Sequence, residues 1–278
     1  MSDLYINGAS FAAGYSKENT THFPGVSPSY ATYLKDYIQP ERFWNHSYTG
    51  KPPQSSVDQT IDFCELYKEK YGTTENLSVV IELTAVRYKQ WSTLTSINND
   101  TIQPVSYVES FAKLEDLDSP ENFKLWFLKR HLDENLDQHC EEVSPDYIPD
   151  EEMEKYYEEV TQNYPPRKHH HRSEVFKHIA EATNHFNRGK QYFVENNINY
   201  IYWWVPGKHK QGRMILDRVA QNVGKNFIPC SHLSGQNLVH TDPGETYRHH
   251  PSREGHMQIA NTIMTYAKEN NIEGFGNG

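Results

Sequence analysis

A chain of 278 residues can bury a core without disulfide or metal staples, because a fold of this size removes about 75 % of its unfolded surface from water. Three widely spaced cysteines (Cys64, Cys140 and Cys230) argue against a disulfide framework, and 19 Tyr within 13 % aromatic residues argue against wholesale disorder. The formal net charge of −10, from 27 Lys and Arg against 37 Asp and Glu, disfavours a nucleic-acid partner, and no stretch reaches the roughly 20 apolar residues of a membrane span.

The first residues, MSDLYINGAS, carry neither the basic nor the apolar region of a secretory signal, so the expected compartment is cytoplasmic. The acidity is concentrated. Asp133 to Glu159 holds twelve acidic residues and one basic residue, Lys155, which leaves 25 acidic and 26 basic residues elsewhere.

In chain order, Leu4-Tyr5-Ile6 reads as a buried strand that runs into a turn at Gly8-Ala9-Ser10. A polar loop follows to Ser29, then a helix that stops by Pro40 and a short strand at Phe43–His46. Thr49 to Pro53 is a loop, and Ser56 is placed to cap a helix bearing Val57, Ile61, Cys64 and Leu66. Leu77 to Leu83 is a second buried strand. The pattern then weakens through Arg87–Pro120, turns helical at Phe123–Leu132, and passes through the acidic run to a basic patch at Arg167–Arg172. His169, His170 and His171 do not share one face of a regular element, so no metal site is expected there.

A long helix is predicted over Ser173–Asn196, a buried strand over Asn199–Val205, a helix over Gln211–Val223 and a short strand over Asn226–Ile228. Within the fourth strand, Trp203 and Trp204 point to opposite faces: at least one belongs to the core, and the other is a candidate stacking surface for a sugar. Last comes a helix over Arg253–Asn270, with Met257, Ala260, Ile263, Met264 and Ala267 on one face. Strands alternating with helices imply an α/β fold with a doubly wound parallel sheet. A single domain, residues 1–278, with an insertion or lid at about 90–170, is the simplest organisation.

Two positions stand where such a sheet places chemistry. Ser10 follows the first strand, and open α/β sheets bind ligands outside the carboxyl ends of their strands. Gly8 and Gly14 let the backbone approach closely around it. A Ser there either offers its hydroxyl to a substrate or simply closes the turn. His250 precedes Pro251, which fixes the following backbone and keeps His250 out of helical angles. Held at a helix entry, it is suited to general-base work; the alternative is a histidine-rich capping loop. Ser252 can cap the last helix, and His256, inside that helix, reads as a packing or hydrogen-bonding residue.

Together the two ends resemble the SGNH/GDSL-type hydrolases, most of all their divergent phage-encoded members. Gly8-Ala9-Ser10-Phe11-Ala12-Ala13-Gly14 stands for the family's opening Gly-Asp-Ser-x-x-x-Gly, and Tyr247-Arg248-His249-His250-Pro251-Ser252-Arg253-Glu254-Gly255-His256 for its closing Asp-x-x-His-Pro-Ser-x-x-Gly-His.

The resemblance implies a flavodoxin-like, SGNH-type sheet with helices on both faces and an inserted acidic, partly helical segment. It implies a serine esterase acting on a small-molecule or glycan ester, by removing or transferring a small acyl group on a carbohydrate or other polar alcohol. Ser10 would be nucleophile and His250 base. Ser10, Gly50 and Thr84 would serve the oxyanion, and Arg87 and Tyr247 would meet the substrate. No cofactor, metal or membrane is implied.

Three departures stand out. Ala9 replaces the family's Asp, Tyr247 replaces the Asp that orients the base, and no Asn stands near Thr84. Asp242 or Glu245 is the expected substitute orienter. The alternative is a catalytically degenerate SGNH fold used for binding or as a phage structural or accessory protein.

Overall fold

The computed structural model describes residues 3–14, 28–47, 53–83, 172–205, 210–230, 251 and 253–275, with a few helical positions between 151 and 162. Five strands form one parallel sheet: β1 (Asp3–Asn7), β2 (Phe43–Asn45), β3 (Leu77–Leu83), β4 (Asn199–Trp204) and β5 (Phe227–Ile228). Their order is β2-β1-β3-β4-β5, the flavodoxin-like arrangement of a doubly wound α/β fold. Among the described residues, five helices with defined bounds accompany them: α1 (Tyr30–Ile38), α2 (Pro53–Tyr71), α3 (Arg172–Glu195), α4 (Lys210–Val223) and α5 (Arg253–Glu269).

Strand side chains alternate between two cores. Tyr5, Val79, Ile81, Tyr202 and Trp204 face a cluster completed by α2, α3 and α4, including Phe63, Phe186 and Val219. Leu4, Ile6, Val80, Ile201 and Trp203 face one completed by α1 and α5, including Leu34, Ile259 and Ile263. Both tryptophans are fully buried. Trp203 and Trp204 therefore divide between the cores, and neither is left to stack on a sugar.

The element boundaries have local causes. α1 starts after Ser29, whose N–H donates to Thr32 Oγ1 at 3.3 Å. It ends where Gln39 turns left-handed at φ 50° and donates its N–H to Lys35 O at 2.9 Å, just before Pro40. α2 begins at Pro53, a residue suited to a first helical turn, where its missing N–H is no loss. Ser56 is thus inside the helix and does not cap it. Its carbonyl instead accepts from Thr60 Oγ1 at 2.6 Å and from Asn7 Nδ2 at 3.0 Å, tying the end of β1 to α2.

α5 buries His256, Ile259, Ala260, Ile263, Tyr266 and Ala267. Met257 is 39 % exposed and lies off that face, because one residue's step turns the helix by about 100° away from His256. The predicted helix at Phe123–Leu132, the basic patch up to His171, and nearly all of the acidic run lie outside the described residues.

At the amino end of the sheet, buried Asp3 accepts from the Arg42 N–H at 3.1 Å, Arg42 Nε at 2.9 Å and Tyr67 Oη at 2.6 Å. Burial, and then the hydrogen bond and charge of Asp3, hold the Tyr67 hydroxyl well above its usual range.

α3 sits close enough to β4 and α2 that a Cβ on Gly189 would overlap Tyr202 Oη and stand 2.7 Å from Val57 Cγ1. Gly189→Ala should lower the unfolding free energy by about 1–3 kcal/mol through overpacking. A denaturant midpoint no lower than wild type would show that α3 can lift from the sheet without loss.

Candidate functional site

Strand order reverses between β1 and β3, so connections leave these neighbours in opposite directions and open a crevice at their carboxyl ends. Ser10 sits at that point, half-buried in the turn directly after β1. Beside it, Glu82 is the sixth residue of β3, on the face of α1 and α5, and is fully buried.

The carboxylate of Glu82 lies under the turn. Its Oε1 accepts the N–H groups of Ala9 at 3.2 Å and Phe11 at 3.3 Å, and its Oε2 accepts that of Ala12 at 2.6 Å. The next two amides close on the turn itself: Ala13 donates to Ala9 O at 3.0 Å and Gly14 to Phe11 O at 3.2 Å. Gly14 takes φ 78°, which its lack of a side chain makes easy. Asn45, at the end of β2, donates its Nδ2 to Ala12 O at 3.0 Å. Of the amides from Ala9 to Gly14, only that of Ser10 has no partner among the described residues.

Gly8 is required for this arrangement. A Cβ there would stand 2.5 Å from Glu82 Cβ and 3.1 Å from Glu82 Cδ. Its predicted role of permitting close approach is observed, and the group that approaches is a carboxylate.

The support extends outward. The Tyr30 hydroxyl lies beside Glu82, favouring its charged form, and accepts from Trp203 Nε1 at 3.3 Å. The rings of Tyr30 and Trp203 meet edge to face at 4.9 Å. Tyr30 also donates its backbone N–H to His256 Nδ1 at 3.3 Å, and the His256 ring stands edge-on to Phe11 at 6.2 Å. His256 is buried and works as a hydrogen-bonding core residue, as its place inside the helix predicts. Through it, the start of α5 is fastened to the turn that carries Ser10.

Burial pushes the Glu82 carboxyl up, and the hydrogen bonds from Ala12, Tyr30, Phe11 and Ala9 pull it partly back, to about 7. Tyr30 is itself held well above its usual range by burial and by the neighbouring Glu82 charge.

Of the sequence-predicted site residues, Ser10 stands at the crevice. His250, Gly50, Thr84, Arg87, Asp242, Glu245 and Tyr247 lie outside the described residues. The structure adds Glu82, Tyr30 and Asn45 to the site. Glu82 had a signal in the sequence: a lone carboxylate in the apolar run LSVVIEL must find donors wherever it is buried.

No protein-family model and no curated protein matches the chain. Among solved structures, the X-ray crystal structure of protein YxiM from Bacillus subtilis matches with a TM-score of 0.44 and 12 % identity. The alignment covers 99 % of this chain, which spans 58 % of that protein's length.

The raised carboxyl has a thermodynamic consequence. Glu82 ionises at about 4.5 when unfolded but at about 7 in the fold. Its contribution to stability is therefore fully present below about pH 4.5 and lost as pH rises through about 7. Glu82→Gln should flatten the decline in unfolding free energy between pH 5 and pH 8. Equal declines in the two proteins, measured by urea denaturation, would refute the shift.

Proposed function

We propose that the chain is an SGNH-like serine esterase, with Ser10 as nucleophile and His250 as base, that removes or transfers a small acyl group on a carbohydrate or other polar alcohol. The observation that carries this reading is the Ser10 turn. It lies at the sheet's topological switch point, with the neighbouring amides from Ala9 to Gly14 engaged and the Ser10 N–H left open among the described residues. Further support comes from α5, which begins three residues beyond His250 and packs His256 against Phe11.

In this mechanism Ser10 Oγ attacks the acyl carbonyl while His250 takes the hydroxyl proton. The negative charge that forms on the carbonyl oxygen is met by the Ser10 N–H, with Gly50 and Thr84 as the further donors. Collapse expels the alcohol, which receives the proton from His250 and leaves an acyl-serine. Water, or a second alcohol, then attacks that ester as His250 again takes and returns a proton. Asp242 or Glu245 orients the imidazole, and Arg87 and Tyr247 contact the substrate.

A second reading has its own observation. The position that the resemblance fills with Asp is Ala9, which is apolar and 1 % exposed, and the second such position is Tyr247. A fold that keeps the turn but lacks its carboxylates is suited to binding without turnover, including as a phage structural component.

Hydrolysis of p-nitrophenyl acetate and labelling by a fluorophosphonate probe separate the two readings. The esterase should turn over the ester and label, and both signals should fall by at least about 10³-fold in Ser10→Ala and in His250→Ala. Wild type and Ser10→Ala with equal rates and no label would leave the binding role standing.

A further inference from the structure

We propose that Glu82 is the positioning residue of the Ser10 turn: its buried carboxylate gathers the amides of Ala9, Phe11 and Ala12 beneath the chain and leaves the Ser10 N–H as the donor presented to a substrate carbonyl. The proposal rests on the reading of Ser10 as nucleophile and adds the residue that aims it.

Three independent features of the geometry converge on this role. The first is the donor set. Three backbone N–H groups reach one carboxylate, with the Tyr30 hydroxyl beside it, which is a complement for an acceptor-only anion. Both oxygens are used, with Ala9 and Phe11 on one and Ala12 on the other. Ser10 is flanked by the first two of these amides: the Phe11 bond holds the peptide plane that follows Ser10, and the Ala9 bond holds the plane just before the Ala9–Ser10 peptide, so that peptide is bracketed on both sides. The shortest bond, at 2.6 Å to Ala12, anchors the far side of the turn.

The second feature is the space made for the carboxylate. Gly8 alone admits it, since any Cβ at that position would collide with Glu82 Cβ and crowd its carboxyl carbon. Gly8, the first residue past β1, and Glu82 on the neighbouring β3 are thus matched to bring an anion under a backbone.

The third is the sheet itself. Val80, two residues earlier on the same face of β3, packs in the apolar core beside α1 and α5. An apolar residue at position 82 would continue that core without desolvating a carboxylate. The carboxylate is compatible with burial because the turn supplies donors. The turn in turn has no other described acceptor for those three amides. Glu82 therefore acts through the backbone of Ser10 and does not touch the reacting atoms.

The test combines catalysis with amide exchange in wild type, Glu82→Gln, Tyr30→Phe and Ser10→Ala. In Glu82→Gln one carboxylate oxygen becomes an NH2 group, which opposes an incoming N–H while side-chain size is kept. Amide hydrogen exchange at Ala9, Phe11 and Ala12 should accelerate by about tenfold or more with core strands still protected. The kcat for p-nitrophenyl acetate should fall by about 10- to 100-fold with KM within about threefold, since misaimed groups raise the barrier without weakening substrate binding.

Tyr30→Phe removes the hydroxyl beside Glu82 and should shift both readouts the same way by less. It carries the test alone if Glu82→Gln does not fold. Turn amides that stay protected, or a folded Glu82→Gln with wild-type kcat, overturn the proposal and leave Ser10 as nucleophile. Wild type and Ser10→Ala that are equally inert end the esterase reading instead. Accelerated exchange in Glu82→Gln then still identifies Glu82 as what holds the turn, and unchanged exchange dismisses it.

Discussion

A single carboxylate buried between a strand end and a turn organises the carboxyl edge of this sheet. Taking Glu82 out of water carries a desolvation penalty that only hydrogen bonds can offset. The offset comes from the backbone of residues 9–12 and from Tyr30. The partners are mutually dependent. Without the carboxylate, three amides at a buried turn lose their acceptor; without the turn, the carboxylate is an orphan in an apolar core. Because Tyr30 opens α1 and also binds His256 of α5 through its N–H, the same constraint fixes where both helices of that layer enter.

β1 is consequently held at both ends by charge. At its amino end, Asp3 binds Arg42 and Tyr67, joining the segment before β2 and the helix α2. At its carboxyl end, the turn is held by Glu82 from β3 and by Asn45 from β2. Between those anchors the strand is apolar and fully buried, with Leu4, Tyr5 and Ile6 at 0 % exposure. A central strand pinned at both ends cannot slide, and a slip of one residue would exchange its two cores. That rigidity is what lets the residue just beyond it be placed reproducibly. Sites carried on such elements are held more tightly than sites on free loops.

Most of the fold could be read from hydrophobic pattern alone. The run LSVVIEL and the run NYIYWW are buried on both faces, as strands of a parallel sheet must be, and their ends were placed to within a residue. What pattern misplaced was finer. Apolarity alone puts Met257 on the buried face of α5, whereas the helix orients itself by His256, a polar residue with a partner on α1. Ser56 looked like a cap because its residue type favours caps, but Pro53 starts the helix a turn earlier. Trp203 and Trp204 read as a divided pair, yet helices cover both faces of β4. At the site, the position of Ser10 was legible from the strand-to-turn sequence. The role of Glu82 was not, because it depends on register. Asn7 pairs with Ile81, and only that pairing brings Gly8 beside Glu82.

The same register ties the resemblance to the physics of the turn. The family motif has Asp where this chain has buried Ala9, so the turn carries no carboxylate of its own. A carboxylate arrives instead from the neighbouring strand and binds the Ala9 amide from below. In the acyl transfer proposed for Ser10, an anion in that place has a double effect. It orients the amides, but its full charge would also oppose the negative charge forming on a substrate oxygen nearby. Burial pushes the carboxyl up to about 7, and the three amides that donate to it offset part of its charge. Those hydrogen bonds keep the anchor and soften its field. The two demands that the proposed chemistry places on Glu82, to hold the backbone and not to repel the oxyanion, are met by the same three amide bonds.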